Sequence, residues 1–343
     1  MLAMKLRFAL NIIFIFAMTG AANMANADSR VAVFNAEDFA LLDGGKWVIS
    51  SSMLGGQQAQ GGMYAIDVRT GVAQQIYPNS AAEKSTLPGC PEQVAAAEFA
   101  PHGVALHKST KGETLLYVVN HGGRESIEIF AVELRDKPVL HWRGCLVEPA
   151  GAFGNAVAVA ADDTVYMTNM GRPMDGSAAF SPFGGDVLAW TAATGWRTVP
   201  NSALEAPNGL LVSADGGTLY VASWTQSEMF KLTLATGDTK REVLKLPLLP
   251  DNLRWSDDGS IFATGHRTAA ALVQDCYVAT GRCEKPIPSG ISKIDPKSLT
   301  ISCSSDIDQS MATTTLIIGD DLWVGTARGD SILRKPRSTW KCN

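Results

Sequence analysis

The 343-residue sequence has few residues of the kinds that build zinc sites, nucleic-acid interfaces or membrane spans. It has five histidines and six cysteines, and no CxxC pair or Cys/His cluster that would indicate zinc. Lys and Arg number 29 against 34 Asp and Glu and form no cluster, which argues against nucleic acid as a partner. Helical periodicity is scarce, and no stretch after the first residues is apolar for long enough to span a bilayer.

The first residues have the composition of an export signal. Lys5 and Arg7 precede a mostly apolar run, and Ala25-Asn26-Ala27 offers a cleavage site before Asp28. We therefore expect residues 1–27 to be a signal peptide and residues 28–343 to form a single domain that is periplasmic or secreted, without stable membrane insertion. Loss of the two basic residues changes the formal charge from −5 to −7. The alternative is a retained N-terminal anchor.

Six cysteines in an exported chain favour disulfides, although they allow many different pairings. One of the three bonds that we expect would tie the C-terminal tail back to the last repeat. The expected pairs are Cys90–Cys145, Cys276–Cys283 and Cys303–Cys342.

A loose sixfold repeat runs through the chain. Six times, a turn rich in Asp or Gly precedes a short run of β-forming residues, as in Asp215-Gly216-Gly217 before Leu219-Tyr220-Val221. Six units of about 50 residues predict an all-β fold, a six-bladed β-propeller with four-stranded blades around a central metal site. Two β-sandwich domains would explain the strands but not the sixfold count. Units of this size are slightly longer than the usual propeller repeat, and we expect the additional residues in loops at 76–100, 171–184 and 268–290.

Side chains that carry metal-binding oxygens recur just ahead of these turns, where the innermost strands are expected to begin. Equivalent positions of a repeat occupy equivalent points in space, so these side chains would meet on the propeller axis. Taken singly, an Asn before Gly or an Asp after Pro is usually a turn former, and Glu37 would be a solvated charge. Their recurrence in one register favours a Ca²⁺ site, since Ca²⁺ accepts six to eight oxygens. The candidate ligands are Glu37, Asn155, Asn208, Asp251 and Asn252.

Asp251 and Asn252 are adjacent, and adjacent side chains of a regular strand point to opposite faces. Both can bind one ion only if Pro250 keeps the start of that strand irregular. Two histidines accompany the oxygens. His102 falls in the same register, and His121 is expected to end the innermost strand of the same blade. Two histidines on one blade, one at the axis, indicate a catalytic role.

At these residues the chain resembles the paraoxonase family, calcium-dependent lactonases and arylesterases built on a six-bladed propeller. The resemblance implies that the five oxygen-bearing residues bind a catalytic calcium ion and that His102 activates water. In the same way it implies that His121 orients His102 or relays its proton. It also implies a pocket-lining role for His266 and a second, structural calcium held by Asp38, the Val104 carbonyl and residue 156. Residue 156 is Ala instead of the family's Asp. The segments that carry the resemblance are Glu37-Asp38, Pro101-His102-Gly103, Leu116 to His121, Asn155, Asn208-Gly209 and Asp251-Asn252.

The sequence therefore predicts a calcium-dependent hydrolase of lactones or aryl esters with a small-molecule substrate, and the preference for lactones comes from the resemblance. One alternative is a gluconolactonase- or regucalcin-like sugar lactonase with a carboxylate base, which would not need His102 and His121. The other is a non-catalytic or strictosidine-synthase-like ligand-binding propeller, because a propeller fold does not by itself define a function.

Overall fold

The computed structural model describes residues 28–55, 60–79, 83–171, 185–234, 240–279 and 283–341. Over these residues the chain forms six antiparallel sheets of four strands each, arranged as the blades of a propeller. The predicted all-β, six-bladed β-propeller is thus confirmed, and a pair of β-sandwiches is not the fold.

The strands of each blade follow one another in the chain, except that β1 (Ser29–Val31) joins the last blade. Blade 1 contains β2 (Phe39–Leu41), β3 (Trp47–Ser52), β4 (Gly62–Asp67) and β5 (Ala73–Tyr77). Blade 2 contains β6 (Pro101–Lys108), β7 (Thr114–Asn120), β8 (Ser126–Leu134) and β9 (Pro138–Val147). Blade 3 contains β10 (Gly154–Val159), β11 (Val165–Asn169), β12 (Asp186–Thr191) and β13 (Gly195–Thr198). Blade 4 contains β14 (Pro207–Val212), β15 (Thr218–Ser223), β16 (Glu228–Thr233) and β17 (Lys240–Lys245). Blade 5 contains β18 (Leu249–Trp255), β19 (Ile261–His266), β20 (Ser289–Asp295) and β21 (Thr300–Ile307). Blade 6 contains β22 (Ala312–Ile318), β23 (Asp321–Thr326) and β24 (Ile332–Pro336), together with β1.

The ring is closed by pairing the two ends of the described chain. β1 runs antiparallel to β24, with Ser29 opposite Arg334 and Val31 opposite Ile332, so it forms the outer edge of blade 6. The first strand of every blade contacts the first strands of its neighbours, which makes β2, β6, β10, β14, β18 and β22 the strands that surround the axis.

The repeat seen in the sequence is the hairpin between the first two strands of a blade. Residues 215–217 join β14 to β15, and residues 257–259 join β18 to β19. Gly216 and Gly259 have φ angles of 72° and 79°, a left-handed conformation that glycine adopts without the clash that a Cβ brings. The β-forming runs after the turns are therefore the second strands of their blades.

Apolar side chains fill the space between neighbouring blades. Phe130 of blade 2 packs edge-to-face on Tyr77 of blade 1, with ring centroids 4.7 Å apart. Between blades 6 and 1, Phe39 and Trp323 are both fully buried. Burying one such side chain stabilises the fold by about 1.5–3 kcal/mol. The packed blades hold the starts of the inner strands in fixed positions around the axis.

Two of the three expected disulfides are formed, Cys90–Cys145 and Cys276–Cys283. The third, Cys303–Cys342, lies outside the described residues, as do the expected signal peptide and nearly all of the loop at 171–184. The insertion at 268–290 contains a helix, α1 (Ala270–Val278), where a loop was expected, and a short 3₁₀ turn, Arg337–Thr339, follows β24. None of the helices among the described residues has the length and apolarity needed to cross a membrane.

Candidate active site

Five of the six inner strands share one irregularity near their first residue. In each, two consecutive residues of the inner strand are left out of the pairing with the second strand of the blade. They form a β-bulge near the first residue of the inner strand. Bulges of this kind redirect side chains and are common beside active sites. The skipped pairs are His102-Gly103, Asn155-Ala156, Asn208-Gly209, Asp251-Asn252 and Thr313-Thr314.

The bulge in β18 explains how the side chains of the adjacent Asp251 and Asn252 can both point toward one site. Regular pairing stops at Pro250 and resumes at Leu253, so the two side chains are freed from strict alternation. Both are buried. The irregularity that the sequence required at Pro250 is present.

Two glycines in these bulges allow the inner strands to approach closely. A Cβ on Gly103 would lie 2.3 Å from the carbonyl oxygen of Asn155, and one on Gly209 would lie 2.5 Å from that of Asp251. Atoms cannot approach so closely, so any larger residue would push the neighbouring blade away. The glycine after His102, and likewise the one after Asn208, therefore keeps the candidate site residues of adjacent blades together.

Four of the five candidate ligands, with His102 and His266, line a cavity of about 40 Å³ on the axis. His102, Asn155, Asn208 and Asp251 reach it from the bulges, whereas Glu37 precedes β2 and His266 ends β19. The fifth, Asn252, lies beside it and donates its Nδ2 group to Glu37 Oε1 over 2.6 Å. All of these residues are buried. The structure thus brings together side chains that are distant in the sequence, such as Glu37 and Asn252, which are 215 positions apart.

Four oxygens of this group have no hydrogen-bond partner among the described residues. The nitrogen of each amide is directed elsewhere, with Asn155 Nδ2 lying 3.3 Å from the Met170 sulfur and the Asn208 side chain bonding Asp251. An unsatisfied buried acceptor costs about 1–3 kcal/mol, so four together require an explanation. The four atoms are Glu37 Oε2, Asn155 Oδ1, Asn208 Oδ1 and Asn252 Oδ1.

This set of donors fits a calcium ion. Ca²⁺ prefers oxygen ligands in flexible geometry, and two carboxylates with three amides provide both the oxygens and the balancing charge. The described part of the chain contains no group of three or more His, Cys, Asp or Glu side chains arranged to hold a metal. The set here differs from such groups because three of its five members are asparagines.

Burial dominates the electrostatics of the two carboxylates. It raises the pKa of Glu37 well above its usual value, and the negative charges of Asp38 and Asp251 raise it further. Burial likewise raises the pKa of Asp251 to about 8, against a hydrogen bond from Asn208 that lowers it. An opposite charge beside a carboxylate favours the ionised form, so a bound cation would suit both groups.

His102 and His121 are neighbours, although they lie on different strands. His121 follows β7, the second strand of blade 2, and not the innermost strand as expected. Because β7 returns antiparallel to β6, its last residue Asn120 lies opposite Pro101. His102 Nδ1 and His121 Nε2 are 2.9 Å apart, and His121 also stacks on Phe153 with ring centroids 4.2 Å apart.

Glu125 was not identified in the sequence. Its Oε2 atom lies 2.6 Å from His121 Nδ1. Since a carboxylate oxygen accepts, we assign the Nδ1 proton to His121, which leaves its Nε2 atom to accept from His102 Nδ1. The Nε2 atom of His102 then carries a lone pair, and it lies 3.8 Å from Glu37 Oε1.

Burial lowers the pKa of His102 well below its usual value, and the charges of His121 and Arg328 lower it further. The imidazole is therefore neutral at neutral pH, the form that accepts a proton. His266, at the end of β19, accepts a hydrogen bond from Trp224 Nε1 on its Nδ1 atom, and its Nε2 atom lies 3.7 Å from Asp251 Oδ2. Burial lowers the pKa of His266 to about 3.

The residues expected to hold a second calcium are satisfied by the protein itself. Asp38 Oδ2 accepts the Val104 N–H over 2.8 Å and forms an ion pair with Arg254. Arg254 Nη2 also donates to the Val104 carbonyl oxygen over 3.2 Å. With Ala156 in the third position, this set does not fit a second ion.

Helix α1 covers the cavity, and Val273, Gln274 and Tyr277 face into it. Arg328 holds the helix by donating from Nη2 to the Tyr277 carbonyl oxygen over 2.7 Å, and its guanidinium lies 4.3 Å from the Tyr277 ring centroid. The Cys276–Cys283 disulfide ties the end of the helix to the loop that returns to blade 5. No sequence pattern indicated this cover, because a nine-residue helix gives little periodic signal.

Comparison with known proteins gives a family match over most of the chain. The arylesterase family model matches residues 35–299. Mechanosensory abnormality protein 6 of Caenorhabditis elegans is 28% identical over 163 residues, which cover 44% of this chain and 41% of that protein. The matched region thus spans less than half of that relative's length.

Several solved structures share the propeller fold at low sequence identity. A luciferin-regenerating enzyme has a TM-score of 0.58 and 11% identity, with 90% of this chain and 94% of that chain covered. A gluconolactonase from Xanthomonas campestris has a TM-score of 0.55 and 15% identity, covering 90% and 87%. The calcium-binding protein regucalcin from Agrobacterium tumefaciens has a TM-score of 0.55 and 14% identity, covering 89% and 92%. At these identities the likeness concerns the fold alone.

Proposed function

Because this chain belongs to the arylesterase family, and is in general terms an ester or lactone hydrolase, we propose that it is a calcium-dependent hydrolase of lactones and aryl esters. The observation that carries the proposal is the set of four unsatisfied buried oxygens on the axis, with a histidine lone pair in the same cavity. Oxygen atoms that lack hydrogen-bond donors suit a cation, and a neutral imidazole beside them suits the activation of water.

The residues that would hold the ion are Glu37, Asn155, Asn208, Asp251 and Asn252. A bound calcium would supply Lewis-acid polarisation of the substrate carbonyl and favour the negative charge that develops on its oxygen. Burial of the five side chains excludes water from around them, which strengthens their attraction for a cation.

The chain's own acid–base groups are His102, His121 and Glu125. His102 Nε2 accepts a proton from the attacking water, while His102 Nδ1 donates to His121. His121 is held by Glu125 from one side and by the Phe153 ring from its face. This arrangement fixes the tautomer in which the cavity-facing nitrogen of His102 is a base.

The sugar-lactonase alternative would use a carboxylate, Glu37 or Asp251, as the base. The ordered chain from His102 to Glu125 favours the histidine mechanism, because a carboxylate base would leave those hydrogen bonds without a role. The non-catalytic alternative also leaves that chain unused. His266, with its Nε2 atom directed toward Asp251, is proposed to line the substrate pocket.

We also propose that residues 1–27 are removed on export and that residues 28–343 act as one domain. Two disulfides in the structure support an oxidising compartment such as the periplasm or the extracellular space.

The test is hydrolysis of a small lactone panel and phenyl acetate with Ca²⁺ and with a chelator. Turnover is expected with Ca²⁺, lost on chelation and restored by added Ca²⁺. His102→Gln should lower kcat about 10²–10⁴-fold, the usual contribution of a general base. The control His141→Gln changes a histidine bound to Glu83 and Glu133 away from the cavity and should retain activity. Calcium binding without turnover on any substrate would refute the hydrolase, and full activity of His102→Gln would refute the base.

A further inference from the structure

Arg254 reaches from blade 5 to two residues of other blades. Its position follows the bulge of β18, while Asp38 precedes β2 of blade 1 and Val104 lies in β6 of blade 2. The guanidinium pairs with the Asp38 carboxylate, donates to the Val104 carbonyl oxygen and donates from Nη1 to the Leu253 carbonyl oxygen. The Arg254 side chain is 12% exposed and that of Asp38 is 1% exposed. This cation is thus fixed in the interior.

The two groups that Arg254 binds are the ones expected to hold a structural calcium ion. A divalent ion at that position would need two carboxylates for neutrality, whereas the chain supplies one, since residue 156 is Ala. One guanidinium carries one positive charge and matches one carboxylate. The charges therefore balance: Ala156 removes one of the two carboxylates, and Arg254 supplies one positive charge where a calcium ion would supply two.

The surroundings of Ala156 are also satisfied without an ion. Its N–H donates to Thr168 Oγ1 over 2.9 Å, and that hydroxyl donates to the Asn208 carbonyl oxygen of the next blade over 2.7 Å. The side chain of Ala156 is buried beside Gly103. The methyl side chain at this position has no atom that could bind a metal.

We propose that Arg254 is a built-in cation that takes the place of a second metal ion, so that the propeller uses one calcium site at most and joins blades 1, 2 and 5 through its own side chain. Guanidinium suits this role because it is permanently charged and presents several donors in a fixed plane. The inference concerns the second position alone and does not depend on the hydrolase activity.

The first measurement is the number of calcium ions per chain, by calorimetric titration and by elemental analysis of the folded protein. At most one ion is expected, and two ions per wild-type chain would overturn the proposal. No bound ion would overturn the proposed calcium-dependent function but would agree with the assignment of Arg254, so the two hypotheses fail separately.

The second measurement uses variants. Arg254→Met should lower the thermal midpoint by about 5–10 °C, because it strands a buried carboxylate, and added calcium should not restore it. The double variant Ala156→Asp with Arg254→Met should bind one more calcium than the wild type and regain stability when calcium is added. Arg334→Met, which removes a partly buried Arg–Asp pair in blade 6, is the control and should leave the ion count unchanged. An unchanged midpoint for Arg254→Met, or a double variant that folds but gains no ion, would overturn the proposal.

Discussion

The Nδ1 atom of His121 lies 2.6 Å from a carboxylate oxygen of Glu125, on the side of the ring that faces away from His102. Because a carboxylate can only accept, this contact determines which nitrogen of His121 carries the proton, and through it which nitrogen of His102 does. Glu125 does not touch the cavity. It would therefore act as a positioning residue for His102, the proposed base.

Replacing Glu125 by Gln should lower kcat of the proposed hydrolase about 10–100-fold and leave KM nearly unchanged. The physical reason is that an amide can donate to His121 Nδ1 and so stabilise the wrong tautomer, without altering the cavity. Steady-state kinetics on phenyl acetate would measure both constants. Glu125→Asp, which keeps the acceptor, should recover part of the loss.

A matched control is Glu133→Gln, because Glu133 also accepts from a histidine, His141, but at the surface. It should leave kcat unchanged. Equal kinetics for Glu125→Gln and the wild type would show that Glu125 has no positioning role.

The close approach of Gly103 to the next blade gives a second prediction. Gly103→Ala should lower the free energy of unfolding by about 1–3 kcal/mol, because its Cβ would lie 2.3 Å from the Asn155 carbonyl oxygen. It should also weaken calcium binding, since Asn155 must move. Denaturant unfolding and calcium titration would measure the two effects.

Gly217→Ala is the control for this substitution. Gly217 has no positive φ angle, and its nearest neighbour to an added Cβ would be Asp215 Oδ1 at 3.4 Å, which is ordinary contact. This variant should match the wild type in both measurements. If Gly103→Ala behaved in the same way, close packing of the inner strands would not be what holds the site together.

The sequence was sufficient for the blades because each repeats the same hairpin, with Asp/Gly turns such as 215–217 ahead of a β-forming run. Repetition also led to Asn155, Asn208 and Asp251, since equivalent positions of a repeat occupy equivalent places. Arg254 was not predictable in this way, because its partner Val104 is 150 residues away and nothing in the repeat marks the contact.

Two other features of the site depended on geometry that the repeat does not encode. His121 was assigned to the innermost strand, but the return of β7 is what brings it beside His102. Helix α1 interrupts the blade pattern within an insertion, where no register exists to relate it to the axis. Contacts made by insertions, and by side chains that reach from one blade to another, could not be predicted from the repeat and are seen only in the structure.

Tyr117 provides a prediction for alkaline pH. Burial, together with the negative charge of Asp163, raises its pKa from 10.0 to about 12. A pKa that is higher in the folded state adds stability that is fully present below pH 10 and is lost as the pH rises toward 12. At about 1.4 kcal/mol for each pH unit, the wild type should lose about 2–3 kcal/mol from this group.

The variant Tyr117→Phe cannot ionise and should lose correspondingly less stability over that interval. Unfolding free energies at pH 9, 10, 11 and 12 would measure the difference between the two proteins. Parallel curves for the two proteins would contradict the assignment of the loss to Tyr117.

The cavity volume sets the last prediction. At about 40 Å³ the cavity is far below the roughly 300–1,000 Å³ of pockets that hold larger ligands. We therefore expect a substrate of the proposed hydrolase to enter only when the cover formed by α1 moves, or to reach the axis with a small group alone. Tyr277 is the largest side chain of α1 that lines the cavity, and removing its ring should admit larger substrates. Tyr277→Ala should therefore raise kcat/KM for phenyl acetate relative to a small lactone, whereas Tyr277→Phe, which keeps the ring, should leave that ratio unchanged. A ratio that is the same in all three proteins would mean that α1 does not control access, and that substrates reach the axis by a route that does not pass Tyr277.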